Sequence, residues 1–189
     1  MATWLSDRAA GERRAAQITW LVLDVDGVLT DGRVYMGAQG AMMQAFHVHD
    51  GLGVRLWERA GHHTAVISGR KTAAVAQRCA DLGIAHVYQG AKDKRAVFDM
   101  FLRETGAVAE QVCVCGDDLL DIPLMQAAGL AAAVADAVPD VRSVAQIVTE
   151  RCGGSGAVRE LIELLLRVQN LWSIVTTRYV TDNWNGSIQ

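Results

Sequence analysis

One stretch, Leu21-Val22-Leu23-Asp24-Val25-Asp26-Gly27-Val28-Leu29-Thr30, limits the possible folds more than any other part of the chain. Ahead of it, residues 18–23 are apolar and β-branched-rich apart from Thr19, the pattern of a strand buried on both faces. Two carboxylates at the end of such a strand call for a cationic neighbour. Side chains two apart on an extended strand point the same way, so Asp24 and Asp26 can address one site unless the turn swings Asp26 aside. Gly27 permits a sharp exit that keeps both groups at the C-terminal edge of the sheet, where open α/β sheets bind ligands. Asp-x-Asp-Gly is also an ordinary turn sequence. Downstream residues decide between the two.

The rest of the chain alternates with the rhythm of βαβ units. After the turn, Arg33-Val34-Tyr35-Met36 and Met42 to Phe46 flank Gly37-Ala38-Gln39-Gly40, which reads as a β-hairpin over about 33–47 projecting from the sheet edge. A short helix follows over 52–60, ended by Gly61. Strands are expected at 63–67, 85–88, 111–115, 130–134 and 147–148. Helices are expected at 71–82, 93–105, 119–128 and 138–145, then one long amphipathic helix from Gly156 to about Tyr179. The right-handed crossover rule makes this a doubly wound, Rossmann-like parallel sheet with helices on both faces, a projecting hairpin and no large cap domain. Residues 18–170 form the domain, 1–17 a polar segment that reads as a frayed helix, and 171–189 a tail with Trp172, Tyr179 and Trp184.

Composition narrows the partners. A net charge of −3 and the lack of any Lys/Arg cluster argue against a nucleic-acid surface. No apolar run approaches the roughly 20 residues that span a bilayer, and the N-terminal segment has no signal-peptide core. Cys79, Cys113, Cys115 and Cys152 complete no zinc pattern and read as free thiols in a reducing, cytoplasmic compartment.

Three further polar clusters fall where strands end: Ser68-Gly69-Arg70, Lys94 after Gln89-Gly90, and Gly116-Asp117-Asp118-Leu119-Leu120-Asp121. Each alone is bland, since Ser and Asp are common helix caps and Lys is usually solvated. Gathered at one sheet edge they fit one reaction. Asp24 and Asp117, with Asp118, make a hard oxygen site suited to Mg²⁺. Lys94 and Ser68 can compensate phosphoryl oxygens. One carboxylate can attack phosphorus, and another can protonate the leaving alkoxide and then deprotonate water.

This order of motifs resembles the haloacid dehalogenase superfamily of phosphatases, with the last acid one residue closer in Gly-Asp-Asp-x-x-Asp. Asp50-Gly51-x-Gly53 and Gly153-Gly154-x-Gly156-Ala157-Val158-Arg159-Glu160 narrow the resemblance to the capless 3-deoxy-D-manno-octulosonate 8-phosphate phosphatase family, over roughly residues 18 to 168. The resemblance implies that Asp24 is the nucleophile and a Mg²⁺ ligand. Asp26 is then acid/base and a ligand through its carbonyl, Asp117 the other carboxylate ligand, and Asp118 and Asp121 supports. It places the phosphoryl group on Ser68 and Lys94. Substrate contacts fall on Asp26, the loop His47, Val48, His49, Asp50 and Gly51, and on Arg55, Arg70, Arg78 and Lys94. A sugar acid phosphate of lipopolysaccharide precursor synthesis is the implied substrate. A homotetramer with central hairpins is the implied assembly, consistent with apolar Val34, Tyr35, Met36, Met42 and Phe46.

The family commonly has Arg where this chain has His49, and imidazole is shorter and mostly neutral near pH 7. A phosphatase for a nine-carbon sugar acid 9-phosphate therefore stays open. His47 and His49 as a transition-metal pair lack a third ligand, and a polar strand edge is the plainer reading. A signalling receiver domain would place its acidic pair adjacent and its Lys last, and neither holds here. A silent oligomerisation module would lack the nucleophile, and Asp24 is present.

Overall fold

The computed structural model describes residues 2–5, 7–37 and 42–180. The expected hairpin turn at Ala38 to Gly40, the side chain of Met42 and Trp184 lie outside the described residues. Strand β1 (Thr3–Trp4) and helix α1 (Arg8–Ala15) precede the first parallel strand, β2 (Trp20–Leu23). The hairpin strands β3 (Tyr35–Met36) and β4 (Met42–Met43) then lead into α2 (Val48–Arg59). Next come β5 (His63–Ser68), α3 (Ala73–Leu82), β6 (His86–Gln89), α4 (Lys94–Thr105) and β7 (Val112–Gly116). The chain continues through α5 (Ile122–Ala127), β8 (Leu130–Ala133), α6 (Pro139–Val144), β9 (Ile147–Val148), α7 (Ala157–Val168) and α8 (Trp172–Val180).

The main sheet has the order β1-β9-β8-β7-β2-β5-β6, parallel throughout except for β1. From β2 the chain winds outward through β5 and β6, then returns to the other side of β2 with β7, β8 and β9. The switch point therefore lies between β2 and β7, paired as Leu21↔Cys113 and Leu23↔Cys115. Both strands are apolar along their length and buried on both faces, as central parallel strands must be. Helices α1, α2 and α7 cover one face, while α4, α5 and α6 cover the other. The fold is the doubly wound α/β architecture expected, and only the hairpin and α2 stand between β2 and β5, which leaves no room for a large cap. Cys79, Cys113 and Cys115 are buried, Cys152 is exposed, and all four are free thiols.

Three local expectations are corrected. Helix α2 starts at Val48 rather than Leu52, because His47 caps it: the Nδ1 atom accepts from the His49 N–H at 3.2 Å. The segment His47 to Gly51 is thus a first helical turn, neither a loop nor a strand edge. The long terminal helix is broken into α7 and α8 at Asn170, which takes a left-handed φ of 59°. Gln169 anchors that break by donating from Nε2 to the carbonyls of Ala15 (2.9 Å) and Ile18 (2.8 Å). The N-terminal segment also docks: Thr3 pairs with Val148, and Trp4 packs its ring over Gly11 of α1.

Candidate active site

The site is assembled where β2 and β7 end side by side. Asp24 continues β2 by donating its N–H to Cys115 O at 3.1 Å, which fixes its carboxylate beside the β7 exit. The chain then turns tightly, with the N–H groups of Val28, Leu29 and Thr30 all directed at Val25 O (2.9–3.2 Å). The Thr30 hydroxyl donates to the same carbonyl and accepts from the Gly27 and Gly32 N–H groups. Gly27 is required twice over. Its φ of 96° suits glycine, and a Cβ there would collide with the Asp117 carboxylate.

This turn swings Asp26 to the rim. Its Oδ1 accepts from Gln44 Nε2 at 2.9 Å, and its Oδ2 lies 3.6 Å from Arg70 Nε. Asp24 stays inside, with Lys94 Nζ 2.7 Å from its Oδ1. Lys94 opens α4, whose N-cap Asp93 accepts from Ala96 N–H at 3.0 Å and so sets the direction of the first turn. The ammonium donates its aligned hydrogen bond to Asp121 Oδ1, also at 2.7 Å. Asp121 Oδ2 accepts from the N–H groups of Asp117 (3.1 Å) and Asp118 (3.4 Å). Asp121 is therefore a brace that ties Lys94 to the Gly116-Asp117 turn, while exposed Asp118 caps the short helical turn Leu119–Asp121.

Ser68 closes β5 and is buried. It lies two residues past Val66, the partner of Leu23, so it sits beside the β2 exit. Its oxygen accepts from Arg70 N–H at 3.3 Å, which leaves the hydroxyl proton free for another acceptor. Asp24, Ser68, Lys94, Asp117 and Asp121 are thus brought to one edge, as the motifs implied.

The electrostatics are unbalanced in a way that invites a cation. Oxygens of Asp24, Asp117 and Asp121 lie within 4.8 Å of one another, and three carboxylates share one ammonium. Burial first, and then repulsion from Asp121, push the Asp24 carboxyl up to about 6 despite Lys94. Burial and the fields of Asp24 and Asp121 push Asp117 up to about 8. Burial alone would lower Lys94, but Asp24 and Asp121 outweigh it and hold the ammonium above its ordinary value. Asp24 Oδ1 and Asp117 Oδ1 are buried and accept no aligned hydrogen bond. Orphaned, close-set carboxylate oxygens fit a hard divalent cation such as Mg²⁺.

The residues expected to touch substrate are spread along the rim. Val48, Gly51, Arg55 and Arg78 line one groove of about 250 Å³ between α2 and α3. Arg78 packs directly on Gly51 and lies 5.9 Å from the Phe46 ring centre, and Arg55 donates to Asp81 O. His49 is exposed and faces a separate cleft of about 600 Å³ with Arg151 and Arg159.

Asp50 is turned the other way. It is 1% exposed, and its carboxylate accepts from Arg159 N–H (2.7 Å) and Gly156 N–H (3.3 Å) at the start of α7. A side-chain contact between Asp50 and substrate is therefore corrected to a helix-capping role. That cap fixes the Gly153-Gly154 turn, which is wedged under the catalytic loop: Gly154 N–H donates to Val28 O at 3.0 Å, and a Cβ on Gly153 would overlap Gly27 O. Sequence reasoning missed both this clamp and Gln44. The only hint of Gln44 was a polar residue in the middle of the otherwise apolar arm from Met42 to Phe46.

An Asp-bearing strand end at the switch point, a buried Lys and a second acidic strand end are the features shared with the haloacid dehalogenase-like hydrolases. A model of that family, described as haloacid dehalogenase-like hydrolase, matches residues 81–161. The chain is 47% identical over 156 residues to the 3-deoxy-D-manno-octulosonate 8-phosphate phosphatase of Salmonella typhi, covering 82% of this chain and 83% of that protein. The crystal structure of the Yersinia pestis phosphatase of the same name is 43% identical with a TM-score of 0.85, covering 87% and 89% of the two chains. The Moraxella catarrhalis phosphatase, solved with magnesium ion, phosphate ion and KDO, has a TM-score of 0.88 at 33% identity, covering 92% and 99%. The chain belongs to the 3-deoxy-D-manno-octulosonate 8-phosphate phosphatase family.

Proposed function

We propose that this chain is a Mg²⁺-dependent phosphatase that hydrolyses 3-deoxy-D-manno-octulosonate 8-phosphate to the free sugar acid and phosphate, in lipopolysaccharide precursor synthesis. The observation that carries this reading is the buried Asp24 carboxylate, 2.7 Å from Lys94, with one oxygen each of Asp24, Asp117 and Asp121 within 4.8 Å of one another. Asp24, Asp117 and the Asp26 carbonyl would hold the Mg²⁺, which when bound neutralises charge on the phosphoryl oxygens and keeps both carboxyls ionised.

Asp24 attacks phosphorus, the bond from phosphorus to the sugar oxygen breaks, and protonated Asp26 gives its proton to the departing alkoxide. A water then attacks the aspartyl-phosphate and loses a proton to the Asp26 carboxylate. Phosphate leaves, and Asp24 is regenerated. Lys94 and the free Ser68 hydroxyl proton meet the phosphoryl oxygens in both steps. Arg70, beside Asp26, and Arg55 and Arg78 on the groove suit the sugar-acid carboxylate, which guanidinium binds in bidentate fashion. His47, Val48, His49 and Gly51 contribute through the first turn of α2.

The site is open, and Tyr35, Met36, Met43 and Val48 are exposed apolar side chains around it. This exposed apolar group supports a homotetramer in which these side chains are buried between copies and neighbours complete the site. A cytoplasmic setting agrees with the free thiols, and no helix among the described residues is long and apolar enough to cross a membrane.

The test is phosphate release from a panel of sugar-acid and simple sugar phosphates, with Mg²⁺ and then with chelator. Strong preference for the eight-carbon acid, lost on chelation, is expected. Preference for a nine-carbon acid would keep the mechanism and move the pathway, and no release from folded protein would overturn the reading.

A further inference from the structure

Asp26 is gripped from the hairpin side by a short relay of hydrogen bonds. Gln44, one residue beyond β4, donates from Nε2 to Asp26 Oδ1 at 2.9 Å. Its Oε1 accepts from the Thr72 hydroxyl at 2.7 Å. Thr72 is itself fixed as the N-cap of α3: its Oγ1 accepts from Val75 N–H at 3.2 Å, and its N–H donates to Gln89 Oε1 at 2.8 Å.

The relay has one sense. An ionised Asp26 carboxylate only accepts, so the Gln44 amide presents its nitrogen to Asp26 and its oxygen to Thr72, whose hydroxyl donates to it. Arg70 approaches the other Asp26 oxygen only to 3.6 Å, too far for a hydrogen bond. Gln44 therefore makes the one side-chain hydrogen bond to the Asp26 carboxyl among the described residues.

We propose that Gln44 is a positioning residue for proton transfer, holding the Asp26 carboxyl, through the Thr72 relay, in the orientation that protonates the leaving alkoxide. The inference rests on the acid/base role of Asp26 given above. It makes the hairpin part of the catalytic machinery as well as a surface element. Without the relay, the half-buried Asp26 side chain keeps only the 3.6 Å approach of Arg70, and part of the roughly 10²–10⁴-fold benefit of general acid catalysis is lost.

The experiment uses the full chain with Mg²⁺ and two substrates. A sugar-acid phosphate has an alkoxide leaving group that needs a proton, while p-nitrophenyl phosphate releases a stable phenolate that does not. The readout is kcat/KM, which reports events up to the first cleavage of the phosphorus–oxygen bond. Gln44→Leu is expected to lower kcat/KM about 10–100-fold on the sugar phosphate and less than about 3-fold on the aryl phosphate. Thr72→Val should show the same pattern at smaller size, with Thr72→Ser restoring wild-type behaviour. The ratio of the two substrates cancels any loss of folded protein, and a fall in kcat at unchanged KM on the sugar phosphate separates lost proton transfer from lost recognition by the hairpin.

Asp26→Asn is the control. If it discriminates between the substrates and Gln44→Leu lowers both equally or neither, the inference is overturned while the role of Asp26 stands. If Asp26→Asn itself fails to discriminate, the acid/base reading and the inference fall together.

Discussion

At the switch point Asp24, Lys94 and Asp121 are each at most 8% exposed and are joined by 2.7 Å contacts, whereas on the rim Met36, Met43 and Val48 are 69–72% exposed. The first region is over-determined: β2, β7, α4 and the Gly153-Gly154 turn all constrain the same few ångströms. The second is held by two-residue strands and the first turn of one helix. The contrast divides the labour. On the proposed mechanism the buried cluster sets the reaction, because charges already fixed by packing need no rearrangement as phosphorus is attacked. The rim carries recognition, where side chains can change without disturbing the core.

That division can be broken most severely at the nucleophile. Asp24→Asn should lower kcat by at least about 10³-fold while circular dichroism stays unchanged. Next, Lys94→Met leaves Asp24 and Asp121 buried without their ammonium. Breaking a buried pair in this way costs about 3–5 kcal/mol, which lowers the melting temperature by roughly 10 °C, and activity is lost as well. A rim substitution with an equal effect would erase the distinction.

Asp50→Ala sharpens the comparison, since Asp50 lies next to the rim in sequence but belongs to the core. It leaves the Gly156 and Arg159 N–H groups without an acceptor, so a loss of about 1–3 kcal/mol is expected in denaturant titration. The core also predicts a pH signature. Folded Asp24 and Asp117 bind protons more tightly than in the unfolded chain, with values raised from 3.8 to about 6 and about 8. In chelator, the contribution of these two groups to stability is therefore full below about pH 4 and falls as pH rises toward 8, and added Mg²⁺ should flatten or reverse that part of the pH dependence. The smallest effect belongs to the rim: His49→Arg should change KM by less than about 5-fold, with kcat and melting temperature unchanged.

The groups gathered at the switch point were legible in the sequence because they obey local rules. An apolar β-branched run ending in Asp-x-Asp-Gly, and a second ending in Gly-Asp-Asp, mark strand ends from a few neighbouring residues. Turn chemistry alone leaves open whether Asp26 stays beside Asp24, and in the structure the Gly27 turn carries it to the rim. What stayed hidden depends on distant pairings. The Asp50 carboxylate meets Gly156 across 106 residues, and no local pattern separates a buried helix clamp from a ligand carboxylate. The Thr3–Trp4 strand is too short to carry a period, and exists because Ile147–Val148 offers an open edge. The break at Asn170 interrupts a hydrophobic pattern that continues on both sides of it, and Gln169 fixes it only through carbonyls on the far N-terminal segment.

The central claim, covalent catalysis by Asp24, is tested most directly by trapping the intermediate. Enzyme with Mg²⁺ and 3-deoxy-D-manno-octulosonate 8-phosphate would be quenched in acid during turnover, reduced with borohydride and mapped by peptide mass. An aspartyl-phosphate is reduced to homoserine, and the account predicts that conversion at position 24 alone. Conversion at another carboxylate, or none during rapid turnover, would contradict it.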